Sequence, residues 1–128
     1  MTQSSKQSFG VSYEEVRKPL DKKDLAIIRR AINERGGFDG RVIKEALSFY
    51  KVEDRDVEQL KTRVSPHQTP ESLSYEDKLN SLVLCCLASA ALGEEELSTI
   101  TGYDRDEFYT TIRRLYHGVR MSIKKKSM

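Results

Sequence analysis

The segment from Leu79 to Leu92 is apolar on nearly every side of a helical projection. Five leucines, one valine, two cysteines and three alanines fill most of its positions. A helix without a broad polar side has to be surrounded by other elements of the fold. The longest uninterrupted apolar run, Leu82 to Leu87, is far too short to cross a bilayer. The sequence therefore predicts a mainly helical protein, with no membrane-spanning segment, in which this helix is the central core element.

The two cysteines, Cys85 and Cys86, are neighbours in the sequence. Adjacent residues lie about 100° apart around a helix, so the two thiols cannot both face one metal ion. Residues 1–10 lack the apolar core of a secretory signal. We therefore expect both cysteines to be small core residues that form no disulfide and bind no metal ion. The protein is expected in a reducing, cytoplasmic location, and no cofactor is expected.

Three shorter amphipathic helices are predicted before residue 65. The first begins at Asp21 and ends at Gly36-Gly37, the second covers residues 41–50, and the third covers residues 57–64. Their inward residues recur every three or four positions. These are Leu25, Ile28 and Ile32 in the first helix, Val42, Ala46 and Phe49 or Tyr50 in the second, and Val57, Leu60 and Val64 in the third.

Residues 65–74, SPHQTPESLS, interrupt the helical pattern with two prolines among polar residues. This segment is typical of a linker, and it separates an N-terminal half, residues 1–64, from a C-terminal half, residues 75–128. Both halves repeat a plan of long helix, glycine, short helix, turn and helix, so the first half is a candidate for a degenerate second helix-turn-helix. At 128 residues the chain is predicted to form one domain or two closely packed halves.

Residues 97–115 predict two helices joined by a tight turn. Gly102 stands where the first helix must end, because glycine readily adopts a positive φ. Asp104 can cap the second helix, and Glu107 completes a capping box worth roughly 1 kcal/mol. The predicted inward residues are Leu97 and Ile100 on the first helix and Phe108, Ile112, Leu115 and Val119 on the second.

This stretch resembles the helix-turn-helix of the winged-helix transcriptional regulators. The residues that carry the resemblance are Leu97, Ser98, Ile100, Thr101, Gly102 and Tyr103, followed by Phe108, Ile112, Arg113, Arg114 and Leu115. The resemblance covers about residues 79–125. It implies a DNA-binding fold in which the second helix is followed by a β-hairpin wing.

Two short terminal strands complete the predicted fold, which is mainly α with minor β. His117-Gly118 is typical of a helix stop, and apolar residues then alternate with polar ones over residues 119–124, which predicts a strand. The chain ends before a second wing strand could return. Phe9 to Tyr13 also has a period of two and would supply the pairing strand, since a lone strand is not stable.

Charge is distributed unevenly, although the net charge is only +2. Residues 71–107 hold nine acids and two bases, whereas residues 108–128 hold six bases and no acid. A clustered basic surface favours double-stranded DNA as the partner, as in a small transcriptional regulator or a plasmid or phage accessory factor. The residues predicted to contact DNA are Arg105, Tyr109, Thr110, Arg113, Arg114, Arg120, Lys124, Lys125 and Lys126, with Arg41, Lys44 and Arg55 from the first half.

The acidic start of the second helix leaves another interpretation open. Asp104 is accounted for as a cap, but Asp106 and Glu107 would face a polyanion unfavourably. The alternative is a protein-protein interaction module, on the same scaffold, that does not bind DNA. Its surface would consist of Tyr103, Tyr109, Tyr116 and the acidic segment Glu94–Glu96. The sequence allows a monomer or a homodimer in either case.

Catalysis is not expected from this sequence. The two histidines, His67 and His117, stand in different contexts, and neither has a serine or cysteine nucleophile motif beside it. The glycines around residue 37 follow a helix rather than a strand and lack the lysine of a nucleotide-binding loop.

Overall fold

A computed structural model describes residues 13–34 and 40–127 of the chain, with side chains except at 13, 34, 42–44, 72 and 125–127. Within these ranges the protein consists of α-helices and one short 3-10 turn, and no strand is present. The helices are α1 (Tyr13–Arg17), α2 (Lys22–Glu34), α3 (Gly40–Phe49), α4 (Asp54–Arg63), α5 (Tyr75–Ala91), α6 (Glu94–Thr101) and α7 (Arg105–Ser127). The mainly helical prediction is confirmed.

Helix α5 is the central element, as its apolar surface predicted. It packs against α2, α3 and α4 from the first half and, most extensively, against α7. Leu84, Cys85 and Ala88 of α5 are buried in a core that also takes residues from α2, α4, α6 and α7. The two halves therefore share one hydrophobic core. None of the helices in the described ranges is long and apolar enough to cross a membrane.

The linker predicted at residues 65–74 is non-helical apart from a 3-10 turn at Pro70–Ser72. An ion pair joins the helices on its two sides, since Arg63 of α4 donates to the buried carboxylate of Asp77 at 2.7 Å. Asp77 also accepts from the backbone N–H of Ser74, whose hydroxyl accepts from the N–H of Asp77 in return. This reciprocal cap fixes the start of α5. The ion pair of Asp77 with Arg63 holds the end of α4 beside it.

The predicted strand over residues 119–124 is wrong, because α7 continues without interruption through His117 and Gly118 to Ser127. The physical reason is the series of inward-facing residues that starts at Phe108. Val119 lies eleven residues after Phe108 and four after Leu115, and all three side chains are buried on one side of α7. A strand there would remove Val119 from the core. The prediction for Phe9–Tyr13 falls on residues outside the described ranges, except that Tyr13 begins α1.

Two predictions of inward-facing residues, Ile100 on α6 and Phe49 or Tyr50 at the end of α3, fall on exposed side chains. Ile100 of α6 is 43% exposed, because Thr101 rather than Ile100 accompanies Leu97 into the core. Phe49 and Tyr50, at the end of α3, are also exposed and pack edge to face with ring centroids 5.2 Å apart. In that part of the molecule the core is filled by Leu47 and Val52.

Gly118 gives a direct test of the continuous helix. A Cβ added at residue 118 would meet the Lys78 Cδ at 3.5 Å, which is ordinary van der Waals contact. Because glycine in a helix interior is roughly 0.5–1 kcal/mol less favourable than alanine, we expect Gly118→Ala to raise the free energy of unfolding by about that amount. Urea denaturation measures the change.

The matched control is Gly102→Ala. Gly102 adopts φ 83°, a conformation that disfavours any Cβ, so this variant should be destabilised by about 1 kcal/mol. A destabilised Gly118→Ala protein would contradict a helix that runs through residue 118.

Candidate nucleic-acid interface

The turn between α6 and α7 has the construction that the sequence predicted. Gly102 ends α6 in the left-handed region, and its N–H donates to the carbonyl oxygen of Ser98 at 2.9 Å. The buried hydroxyl of Thr101 donates to the Leu97 carbonyl at 2.5 Å and accepts from the Tyr103 N–H at 3.1 Å. The direction in which α7 leaves the turn is therefore fixed by hydrogen bonds on both sides of Gly102.

Two of the acids at the start of α7 have structural roles. The Asp104 carboxylate accepts from the Glu107 N–H, and the Glu107 carboxylate accepts from the Asp104 N–H, each at 2.9 Å. Glu107 also forms an ion pair with Lys23 of α2 at 2.5 Å. The hydrogen bond from Lys23 holds the pKa of Glu107 below its usual range, and the same bond raises the pKa of Lys23. Of Asp106 and Glu107, the two acids that were expected to face a polyanion unfavourably, only Asp106 is left facing solvent.

The N-terminal end of α7 nevertheless lies in acidic surroundings. Arg105 lines a shallow groove together with Glu94, Glu95, Asp104 and Asp106. Another predicted contact near this end, Thr110, donates its hydroxyl to the Asp106 carbonyl at 2.9 Å. The structure thus places Arg105 and Thr110 apart from a basic surface, and the beginning of α7 does not present an attractive surface to a polyanion.

Arg114 is buried rather than directed outward, with 9% of its surface exposed. Its Nη1 donates to the Asp24 carboxylate at 2.8 Å, and its Nε and Nη2 donate to the carbonyl and carboxylate of Glu15 at 2.9 and 2.8 Å. A longer contact of 3.5 Å reaches Asp21. Thr111 donates to the other oxygen of Asp24 at 2.6 Å. Arg114, which was predicted to contact a phosphate, is therefore engaged in an internal network of hydrogen bonds and ion pairs that joins α7 to α1 and α2.

The electrostatics of Arg114 support this structural role. Burial alone would lower the pKa of its guanidinium, but the hydrogen bond and negative charge of Asp24, with smaller contributions from Asp21 and Glu15, raise that pKa instead. The sequence contained one signal for this network: Thr111 lies three residues after Phe108, beside the inward-facing series, so it flanks the core. The acidic partners of Thr111 and Arg114, about 90 residues earlier, could not be found from spacing.

From Tyr109 to Lys124, one side of α7 presents only bases, aromatic residues and apolar residues to solvent, and the exposed Asp106 lies on the same side one turn earlier. The members of this stretch recur every three or four residues, and we name this set the α7 basic face: Tyr109, Arg113, Tyr116, Arg120 and Lys124. All five are exposed, Tyr109 by 39% and Tyr116 by 56%. No acid follows residue 107 in the sequence. Within the described residues, Arg113, Arg120 and Lys124 take part in no ion pair, so their charges are available to a partner.

A groove of about 390 Å³ extends this positive surface between α1 and α7. Its lining includes Arg17, Lys18, Lys78 and His117, together with the buried Arg114 of the internal network. Lys18 is paired with Glu15 at 2.7 Å, whereas Lys78 has no acidic partner in the described part of the chain and lies with its stem against Gly118. Arg17, Lys18 and Lys78 were not predicted, because α1 and the start of α5 are brought to α7 only by the fold.

The predicted contacts from the first half lie on α3 and α4. Arg41 faces Glu45 at 3.4 Å, and Arg55 faces Glu53 at 3.5 Å, in exposed pairs of the kind that contribute little to stability. Lys44, Lys125 and Lys126 lie on helices whose backbone is described, but their side chains are outside the description.

The two cysteines have separate environments, since Cys85 is buried and Cys86 is exposed. Burial raises the pKa of both thiols, so neither is activated as a nucleophile. Among the described residues, no three histidine, cysteine, aspartate or glutamate side chains come together in a group that could hold a metal ion.

Comparison with known proteins gives no match. No family model, no curated protein and no solved structure is similar to this chain at a significant level. The function therefore has to be inferred from the surface of α7 and its surroundings.

Proposed function

We propose that this protein binds double-stranded DNA through the α7 basic face, as a small regulator or a plasmid or phage accessory factor. The observation that carries this proposal is the absence of acids from residues 108–128, along which Arg113, Arg120 and Lys124 are exposed. Lysine and arginine on one side of a helix match the charge of a duplex, and exposed tyrosines add hydroxyls that donate to phosphate.

The arrangement of charge favours a particular docking geometry. In a usual helix-turn-helix complex, the first residues of the second helix enter the major groove. Here that end carries Asp104 and Asp106 on either side of a single base, Arg105, while the other bases begin at Arg113. From Tyr109 to Lys124 the helix covers about 22 Å at 1.5 Å per residue, which is longer than the width of a major groove, about 12 Å. We infer that α7 contacts phosphates along its C-terminal two-thirds, with its acidic start away from the duplex.

A salt titration of duplex binding tests this proposal. The logarithm of affinity falls with the logarithm of salt concentration by about 0.9 per neutralised phosphate. If only Arg113, Arg120 and Lys124 contact phosphates, the slope of log affinity against log salt should be about −2.7. If Lys125 and Lys126 also contact phosphates, the slope should be about −4.5. A mobility shift with a random duplex at several salt concentrations gives the slope, and a sizing column gives the oligomeric state. A flat salt response would exclude phosphate contacts by this face.

A second candidate function is binding of an acidic protein partner by the same helix. The observation that favours it is a heptad series of exposed apolar side chains: Tyr109, Tyr116 and Ile123 stand at i, i+7 and i+14 and are 39%, 56% and 48% exposed. A partner helix meets residues at this spacing, and the flanking arginines would select acidic residues on it.

Aromatic truncation separates the two candidates. The double variant Tyr116→Ala with Ile123→Ala removes two of the three side chains of this series but leaves every base in place. Under DNA binding it should shift the duplex nearly as well as the wild type, because charge carries the affinity. Under protein binding it should lose the partner in a pull-down, since large buried aromatic residues dominate such interfaces.

A further inference from the structure

A basic cavity that shares no lining residue with the α7 basic face lies between α2, the end of α4 and the turn before α7. Its volume is about 300 Å³, at the lower end of the range for small-molecule sites, roughly 300–1,000 Å³. The charged and polar residues that line it are Arg29, Arg30, Asn33, Lys61, Ser65 and Tyr103. No acidic residue of the described chain is among the lining residues. We propose that this cavity binds a small organic phosphate monoester.

The positive charge of the cavity is not neutralised from within it. Arg29 donates one N–H to the carbonyl oxygen of Val64, at the end of α4, which positions the guanidinium and uses one of its five donors. Arg30 is exposed, and in the described part of the chain it forms no ion pair. Lys61 meets Glu58 only at 3.7 Å, between two half-exposed side chains where solvent screens the interaction.

Three cations around one cavity repel one another unless an anion separates them. A phosphate monoester carries up to two negative charges, and its oxygens match the planar fork of an arginine guanidinium. Asn33 and Ser65 offer neutral hydrogen-bond donors beside these charges. The lining therefore matches a phosphate group in charge and in the number of hydrogen-bond donors.

Tyr103 distinguishes an organic phosphate from a free anion. It is half-buried, and the bond from its backbone N–H to the Thr101 hydroxyl at 3.1 Å sets its place in the turn. A tyrosine offers an apolar ring and a hydroxyl, which suit the sugar or base of a ligand rather than its phosphate. The shared chemistry is a phosphate ester of a sugar or a nucleoside.

Titration of ¹⁵N-labelled full-length protein with ribose 5-phosphate, adenosine monophosphate and adenosine tests this inference. The two phosphates should shift the amide resonances of Asn33, Ser65 and Tyr103 saturably, and adenosine should leave them unchanged. Tighter binding of adenosine monophosphate than of ribose 5-phosphate would identify a nucleoside as the organic part, and equal binding would identify the sugar phosphate.

Arg30→Ala should weaken phosphate binding at least tenfold, because it removes an exposed cation from the lining. Arg120→Ala, an exposed cation of the α7 basic face, is the matched control and should bind the phosphates as the wild type does. Equal binding of adenosine, or equal weakening by both variants, would overturn the inference. Since neither Asn33 nor Arg30 belongs to the α7 basic face, these outcomes are independent of DNA binding.

Discussion

Arg114→Met is expected to lower the free energy of unfolding by about 3–5 kcal/mol, although the neighbouring residue can be changed almost without effect. The substitution keeps most of the aliphatic stem and removes the guanidinium. Asp24, which is 2% exposed, would then be left buried with its charge facing two neutral donors, the Thr111 hydroxyl and the Asp21 backbone N–H, and no cation among the described residues. Breaking a buried ion pair on one side has a cost of this size, because an unpaired charge remains in the protein interior. Urea or thermal denaturation measures it.

Arg113→Met is the control for this experiment, since it makes the same chemical change one residue away. Arg113 is exposed and unpaired within the described chain, so its replacement should alter stability by less than about 0.5 kcal/mol. The two variants also separate stability from binding. If Arg114→Met folded with wild-type stability and lost affinity for a duplex, the internal network at Asp24 would not be the role of this residue.

The double variant Arg113→Glu with Arg120→Glu is expected to reduce duplex affinity at least about 100-fold at low salt. Each substitution removes a cation from the α7 basic face and adds an anion that repels phosphate, and like charges placed together at an interface cost several kcal/mol. A loss of about 2.7 kcal/mol corresponds to that factor. Because both side chains are exposed, the protein should remain folded. A mobility shift and a far-ultraviolet circular dichroism spectrum check the two statements.

Arg41→Glu with Arg55→Glu is the matched control, because it changes the net charge equally on α3 and α4. These side chains face Glu45 and Glu53 rather than open solvent alone. If α7 provides the interface, this control should weaken binding only by the general effect of net charge, several-fold at most. Equal losses from the two double variants would show that affinity depends on overall charge and would remove α7 as the specific site.

The features that were predicted correctly are those that depend on residues close together in the sequence. The central position of α5 followed from a segment with almost no polar side. The end of α6 at Gly102 and the cap formed by Asp104 and Glu107 followed from the backbone preferences of glycine and from side chains three residues apart. Such short-range signals need no knowledge of the partner elements.

The strand predicted over residues 119–124 failed because two periodicities were present in the same residues. Val119, Met121 and Ile123 alternate with polar residues, as in a strand, while Val119 also continues the helical series from Phe108 and Leu115. Burial decides between them. In the continuous helix α7 Val119 is buried, whereas Met121 and Ile123 are left exposed.

The sequence by itself determined that the chain is mainly helical, which helix is central, and where the turn before α7 lies. It could not distinguish Arg113 from Arg114, two identical residues side by side in a basic segment. Only the tertiary structure assigned one to solvent and the other to Asp24 and Glu15. Neighbours on a helix point about 100° apart, and the two acids come from α2 and α1, at the other end of the chain. The extent of the basic surface was therefore decided by packing.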